Sequence, residues 1–176
     1  MANYGVVRTD NMKATKDGSI KSGRFYDETS PAAIENGNIV KLDSLIDGER
    51  ELWKVVAPSA INASNLYLVA TPEIIYDESL KSKGALKEFR NEAGENITLL
   101  QLQVGDVFAI SDACINAIND GVPEVGNLVA PSTSGTKWTE ISALNSTTPQ
   151  VCYGKIIARE TVAGVNMNVI VMLSIQ

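Results

Sequence analysis

Large apolar residues fall along this chain in short runs set off by Gly, Asn and Asp, a pattern that predicts strands joined by tight turns. The densest part runs from Ile34 to Ala70. Ile39-Val-Lys-Leu42 follows the turn signal Asn36-Gly37, and Leu52 to Ala57 and Leu66 to Ala70 are further runs rich in Val, Leu, Trp and Tyr. A polar connection containing Asp47-Gly48 lies between the first two. These runs are predicted to be the first strands of a compact β domain. Trp53 and Tyr67 sit inside them, where aromatics pack in a core or pair across strands more often than they form a ligand platform.

Downstream, Thr71 to Tyr76 ends a strand or begins a connection, and Asp77 to Lys83 is charged. Leu86, Phe89 and Ala93 recur at helical spacing between Gly84 and Gly94, which predicts one short amphipathic helix closed by Gly94. Asn96 to Val104 and Val107 to Ser111 read as strands around Gly105-Asp106. Two readings then stay open: Asp112 caps a helical turn through Ile118, or Asn119-Asp120-Gly121 closes a loop. Val125-Gly-Asn-Leu-Val-Ala130 resembles Val104-Gly-Asp-Val-Phe-Ala109, a recurrent chemistry of strand entry. Ser132 to Thr136 and Ser142 to Pro149 are polar loops. Val151 to Arg159 and Val165 to Ile175 flank Ala163-Gly164 as a long antiparallel hairpin. Apolar residues occupy both faces of its second strand, which places that strand centrally or in the wall of a closed barrel.

Residues 1–31 differ. Tyr4, Val6, Val7, Met12, Ile20, Phe25 and Tyr26 are scattered among small and charged residues without a sustained period of either kind. The segment is therefore expected to be an extended N-terminal arm, ordered only against a partner, with residues 32–176 as the compact body. Charge supports the division. The chain carries −6 in all, yet residues 1–26 hold Arg8, Lys13, Lys16, Lys21 and Arg24 against Asp10 and Asp17, a local +3 that leaves −9 for the remainder. Five spread cations interrupted by acids do not make a nucleic-acid patch.

Candidate chemistry is sparse. The sequence has no histidine, the commonest general base and transition-metal ligand. Cys114 and Cys152 lie among apolar neighbours and read as buried free thiols. Gly121-Val-Pro-Glu-Val-Gly126 has the spacing of a phosphate loop but continues Asn127-Leu128 where Lys-Ser/Thr is needed. Ser134-Gly-Thr-Lys137 matches Ser-x-x-Lys, a pairing that requires a helix, in a stretch with loop chemistry. Asp106 with Asp112, or Glu49 with Glu51 on one strand face, are the candidate carboxylate pairs, and no spacing resembles an EF-hand loop. No catalytic residue, cofactor site or metal site is expected. The chain starts without a signal-peptide pattern and has no apolar run of the ~20 residues that a membrane span needs. Synthesis in the cytoplasm and no membrane partner are the corresponding expectations.

Ile34-Glu-Asn-Gly-Asn-Ile-Val-Lys-Leu42, Asp47-Gly-Glu-Arg50, Leu66-Tyr-Leu-Val-Ala70 with Pro72-Glu73 and Tyr76-Asp77, and Gly105-Asp-Val-Phe-Ala-Ile110 together resemble the decoration, or cement, proteins of tailed-bacteriophage heads. The likeness covers residues 24–111 and, more loosely, Val125-Gly126 and Gly154-Lys-Ile-Ile157. It implies a mainly β fold, a β-barrel or sandwich-like body with one short helix and an N-terminal arm. It also implies a structural, non-enzymatic virion protein on the outer capsid surface, made in the host bacterium, that bridges major capsid protein subunits and meets neighbouring copies of itself. Tyr4, Val6, Val7, Arg8, Met12, Ile20, Arg24, Phe25 and Tyr26 of the arm are then the expected capsid-binding residues. This chain departs from shorter members in the length of its arm. The competing class is a phage fibre, tail or glycan-binding module that uses exposed aromatics, with Trp53 and Trp138 as the residues to inspect.

Overall fold

The computed structural model describes residues 3–58, 65–73, 86–118, 121–144 and 152–175. The predicted turn at Asn119-Asp120, the stretch Ile74–Lys83, most of the loop Ser142–Pro149 and Val151 lie outside them.

The fold is mainly β, a closed five-stranded barrel packed on a seven-stranded sheet. The barrel uses β2 (Ile20–Asp27), β4 (Ile39–Leu45), β5 (Leu52–Val56), β6 (Leu66–Val69) and β7 (Ile97–Gln101). β2 pairs with β5 in parallel and with β7 antiparallel. β5 pairs with β4, β4 with β6 and β6 with β7, so the ring closes. A two-residue β3 (Ser30–Pro31) folds back on β2.

The other sheet contains β1 (Val7–Asn11), β8 (Val107–Ser111), β9 (Ile115–Asn116), β10 (Leu128–Pro131), β11 (Trp138–Ile141), β12 (Tyr153–Val162) and β13 (Val165–Ser174), in the order β1-β8-β13-β12-β10-β11-β9.

Strand alternation explains how the layers meet. In the barrel wall Phe25, Val40, Val55, Tyr67, Val69 and Leu99 point inward and form one core. Ile39, Leu66, Leu68 and Leu100 hold the alternate positions and form a second core with Phe108, Ile110, Ile156, Ile170, Met172 and Trp138 of the sheet. Each such side chain, once buried, contributes about 1.5–3 kcal/mol. The expected centrality of the last strand is observed, since β13 lies between β8 and β12, in the open sheet and not in the barrel.

Residues 34–39 join the layers. Gly37 N–H donates to Val69 O (2.8 Å), Ile39 N–H to Thr136 O (2.7 Å), and the Trp138 indole N–H to Gly37 O (3.0 Å). Asn36, fully buried, donates to Thr71 O (2.8 Å) and accepts from Thr71 N–H (3.0 Å) and from the Asn91 carboxamide (3.3 Å).

Two expectations need correction. Residues 3–31 are not an arm beside a separate body: β1 is a strand of the open sheet, and β2 is a wall of the barrel. The missing periodicity has a physical cause, because the segment changes layers within a few residues and its adjacent apolar pairs face opposite sides. Val6 is buried in a cluster with Ala109 and Met167 while Val7 packs on the inter-layer core, and Phe25 enters the barrel while Tyr26 stays on its outer wall.

The second correction concerns the helix. Within residues 86–94 the chain makes only a 3₁₀ turn at Leu86–Glu88, because Asn91 leaves the helical path to exchange both backbone hydrogen bonds with Ile34 (3.0 Å each). Among the described residues the α-helix is instead Lys13–Asp17, between β1 and β2, with its N-cap Met12 and its own Ala14 fully buried.

Candidate interaction surface

The nine arm residues divide by environment. Val6, Met12 and Phe25 are 2%, 0% and 9% exposed, so they hold the chain's own core. Tyr4 donates its N–H to Lys87 O (2.8 Å) and lies under the Arg90 guanidinium, 5.3 Å from the ring centroid. Val7 is partly buried, and Arg8 pairs with Glu160 of β12. Ile20, Arg24 and Tyr26 reach solvent in part or more: Ile20 is exposed, Arg24 donates to Asn96 Oδ1 (3.0 Å), and Tyr26 carries the Lys54 ammonium 5.2 Å from its ring centroid. The fold therefore does not gather these nine residues on one surface.

The other candidates resolve similarly. Trp138 is fully buried and packs on Phe108 at 5.7 Å between ring centroids, and Trp53 lies against the barrel core, so neither is an exposed platform. Burial pushes the thiols of Cys114 and Cys152 up to about 12, and both are unpaired. Asp106 and Asp112 stand at opposite ends of β8, about 20 Å apart from the rise of a strand. Asp106 accepts the N–H groups of Lys13 (2.6 Å) and Gln103 (2.8 Å), while Asp112 binds Arg159 (2.9 and 3.0 Å) and Asn168 (2.7 Å). Glu49 and Glu51 lie in the exposed turn before β5 and not on a strand face. Ser134 to Lys137 is loop, with Ser134 N–H on Ser132 Oγ (3.3 Å). Among the described residues no three acidic or thiol groups converge as a metal site, and no helix is long and apolar enough to cross a membrane.

One constellation was not anticipated. Glu140 of β11 is 4% exposed and is bonded by three groups from other parts of the chain: Ile118 N–H (3.0 Å), Glu124 N–H (2.8 Å) and the Asn127 carboxamide (2.9 Å). Burial pushes its pKa up, but the Glu124 amide, Asn127, the Ile118 amide and the positive field of Arg159 outweigh this and hold it below the ordinary carboxylate value. Ile118, Val122 and Val125 are 38%, 58% and 56% exposed. Gly126 N–H and Asn127 O bond the backbone of Ile156 (2.9 Å each), which brings exposed Ile157 beside Val125. A buried carboxylate thus ties down Ile118 and residues 124–127, beside the solvent-facing Val122 and Val125. The signal was present in Trp138-Thr-Glu-Ile, where alternation puts Glu140 on the same buried face as Trp138.

Comparison of the chain with protein-family models, with curated proteins and with solved structures finds no match.

Proposed function

We propose that this chain is a structural virion protein, a decoration protein that binds the outside of a tailed-phage head and bridges major capsid protein subunits. Support comes from the resemblance of Ile34–Leu42, Leu66–Ala70 and Gly105–Ile110, segments that here build the barrel wall and the inter-layer junction. The observation that carries the reading is the set of exposed aliphatics Ile118, Val122, Val125 and Ile157, with Glu140 bonding the Ile118 amide and the Glu124 amide beside Val125. Exposed apolar groups whose backbone is already hydrogen-bonded bind without a large ordering cost, which favours a protein–protein contact.

Docking therefore belongs to the body and not to an arm. Binding the assembled shell and not free subunits would stabilise the shell by mass action. The test mixes the protein with empty heads of the phage it is proposed to decorate, followed by sedimentation. Wild-type protein is expected to co-sediment to saturation, and the double variant V122D/V125D to remain in the supernatant with an unchanged melting temperature. Co-sedimentation of that variant at wild-type occupancy, or absence of wild-type binding, would overturn the reading.

A further inference from the structure

The barrel has two exteriors. The outer positions of β6 and β7 are covered by the seven-stranded sheet, whereas those of β2, β5 and β4 from Lys41 onward face away from it. Since Phe25, Val55 and Leu42 point into the barrel, the alternate positions Arg24, Tyr26, Lys54 and Lys41 belong to this outer wall. Register sets their spacing. Arg24 is level with Lys54 on the parallel pair β2–β5, Ser44 lies across from Lys54, and Lys41 across from Val56.

Two cations therefore stand side by side on adjacent strands, about 4.8 Å apart, with a third one strand further on. Like charges in directly opposed positions weaken a sheet, and little on the wall relieves them. Asp43 is the acid nearby, half-exposed, with Oδ2 3.7 Å from the Lys54 ammonium. Arg24 spends Nη2 on the neutral carboxamide of Asn96 (3.0 Å), and its Nε is sealed from solvent with no acceptor. Tyr26 flanks the Lys54 ammonium at 5.2 Å. A concentration of positive charge thus persists on a chain of net −6.

The surroundings set the length of what can bind. Exposed Asp27 and Glu28 follow Tyr26 at one end of the wall, and exposed Glu49 and Glu51 precede β5 at the other. A phosphate backbone long enough to follow the strands would meet these carboxylates at both ends. A short extended peptide laid across the strands would not: its alternate side chains repeat every ~6.8 Å, and the long Arg24, Lys54 and Lys41 side chains, rooted one strand spacing and one diagonal apart, can splay to meet successive carboxylates.

We propose that the outer wall of β2, β5 and β4 is a docking site for a short, extended acidic segment of a partner protein, with Arg24, Lys54 and Lys41 receiving its carboxylates. The site is separate from the Ile118–Val125 surface and does not depend on what that surface binds. Its test is fluorescence anisotropy of the full-length chain with a labelled peptide of alternating Glu and Thr, the matching Gln peptide, and an oligothymidylate of equal charge. Saturable binding of the Glu peptide is expected, weakened from low ionic strength to ~0.15 M salt as charge contacts are screened. The Gln peptide should not bind, and R24Q/K54Q should weaken Glu-peptide binding by about tenfold or more with an unchanged near-ultraviolet circular dichroism spectrum. If loss of the Asn96 bond unfolds that variant, K41Q/K54Q carries the same expectation. Failure of the folded wild-type protein to bind the Glu peptide at low salt, undiminished binding by the folded variants, or tighter binding of the oligothymidylate would overturn the proposal.

Discussion

Glu140 shows how one buried charge can organise a surface. Its three hydrogen-bond donors all come from residues 118–127, so replacing it strands donors that the fold has already desolvated. Glu140→Ala is expected to cost about 1–3 kcal/mol in urea unfolding at neutral pH. The pH dependence follows from the lowered pKa. Stability from the carboxylate is present above the ordinary glutamate value near 4.5 and is lost as pH falls through the folded-state value below it. Glu140→Gln should flatten the stability profile in that acidic window, and an unaltered acid limb would contradict the assignment. The cysteines give a second expectation at this scale. With both thiols buried and raised to about 12, native protein should react with neither equivalent of a thiol reagent at pH 7, and denatured protein with both.

Among elements, β1 and β2 have the least obvious sequences and the most consequential positions. β2 closes the barrel between β5 and β7, and the Met12 side chain fills the core between the layers. Deleting residues 1–26 should therefore abolish cooperative unfolding of the whole chain, followed by circular dichroism on heating, and not release an intact body. Met12→Ala should cost about 2–5 kcal/mol by opening a cavity.

Much of this level was legible where a strand stays in one environment. Leu52–Val56, Leu66–Val69, Val107–Ser111 and Val165–Ser174 fall within predicted runs, while Ile39–Leu45 and Tyr153–Val162 continue past the expected strand ends at Leu42 and Arg159. The likeness of Val104–Ala109 to Val125–Ala130 is also structural. In each, a glycine at positive φ (Gly105 89°, Gly126 101°) donates to the neighbouring strand, and the next residue accepts from the same partner, Met172 or Ile156. A side chain at either glycine would strain that turn.

What was not legible depended on distant partners. The Leu86–Ala93 spacing suited a helix until Asn91 met Ile34, and the polar look of residues 1–31 concealed strands whose apolar faces are shared between two layers. Glu140 gave no signal of its own because its donors, up to 22 residues distant, come together only in the fold.

At the scale of the molecule, the barrel and the open sheet are joined by the covered wall of the barrel and by the hydrogen bonds of residues 36–39. That junction leaves two separate faces: the aliphatic segment around Val122 on the sheet, and the basic outer wall of the barrel. A rigid two-faced unit suits a protein whose proposed role is to bridge others, because each face is ordered before it meets a partner. It also removes the need for a terminal segment to become ordered on binding. The most direct measurement is hydrogen exchange on the isolated chain, resolved by residue. Amides of residues 20–27 protected to the same extent as those of Val55 and Ile170 are the expected result, since all belong to one cooperative structure. Exchange of residues 3–27 at the rate of an unstructured peptide, while the remaining strands stay protected, would contradict it.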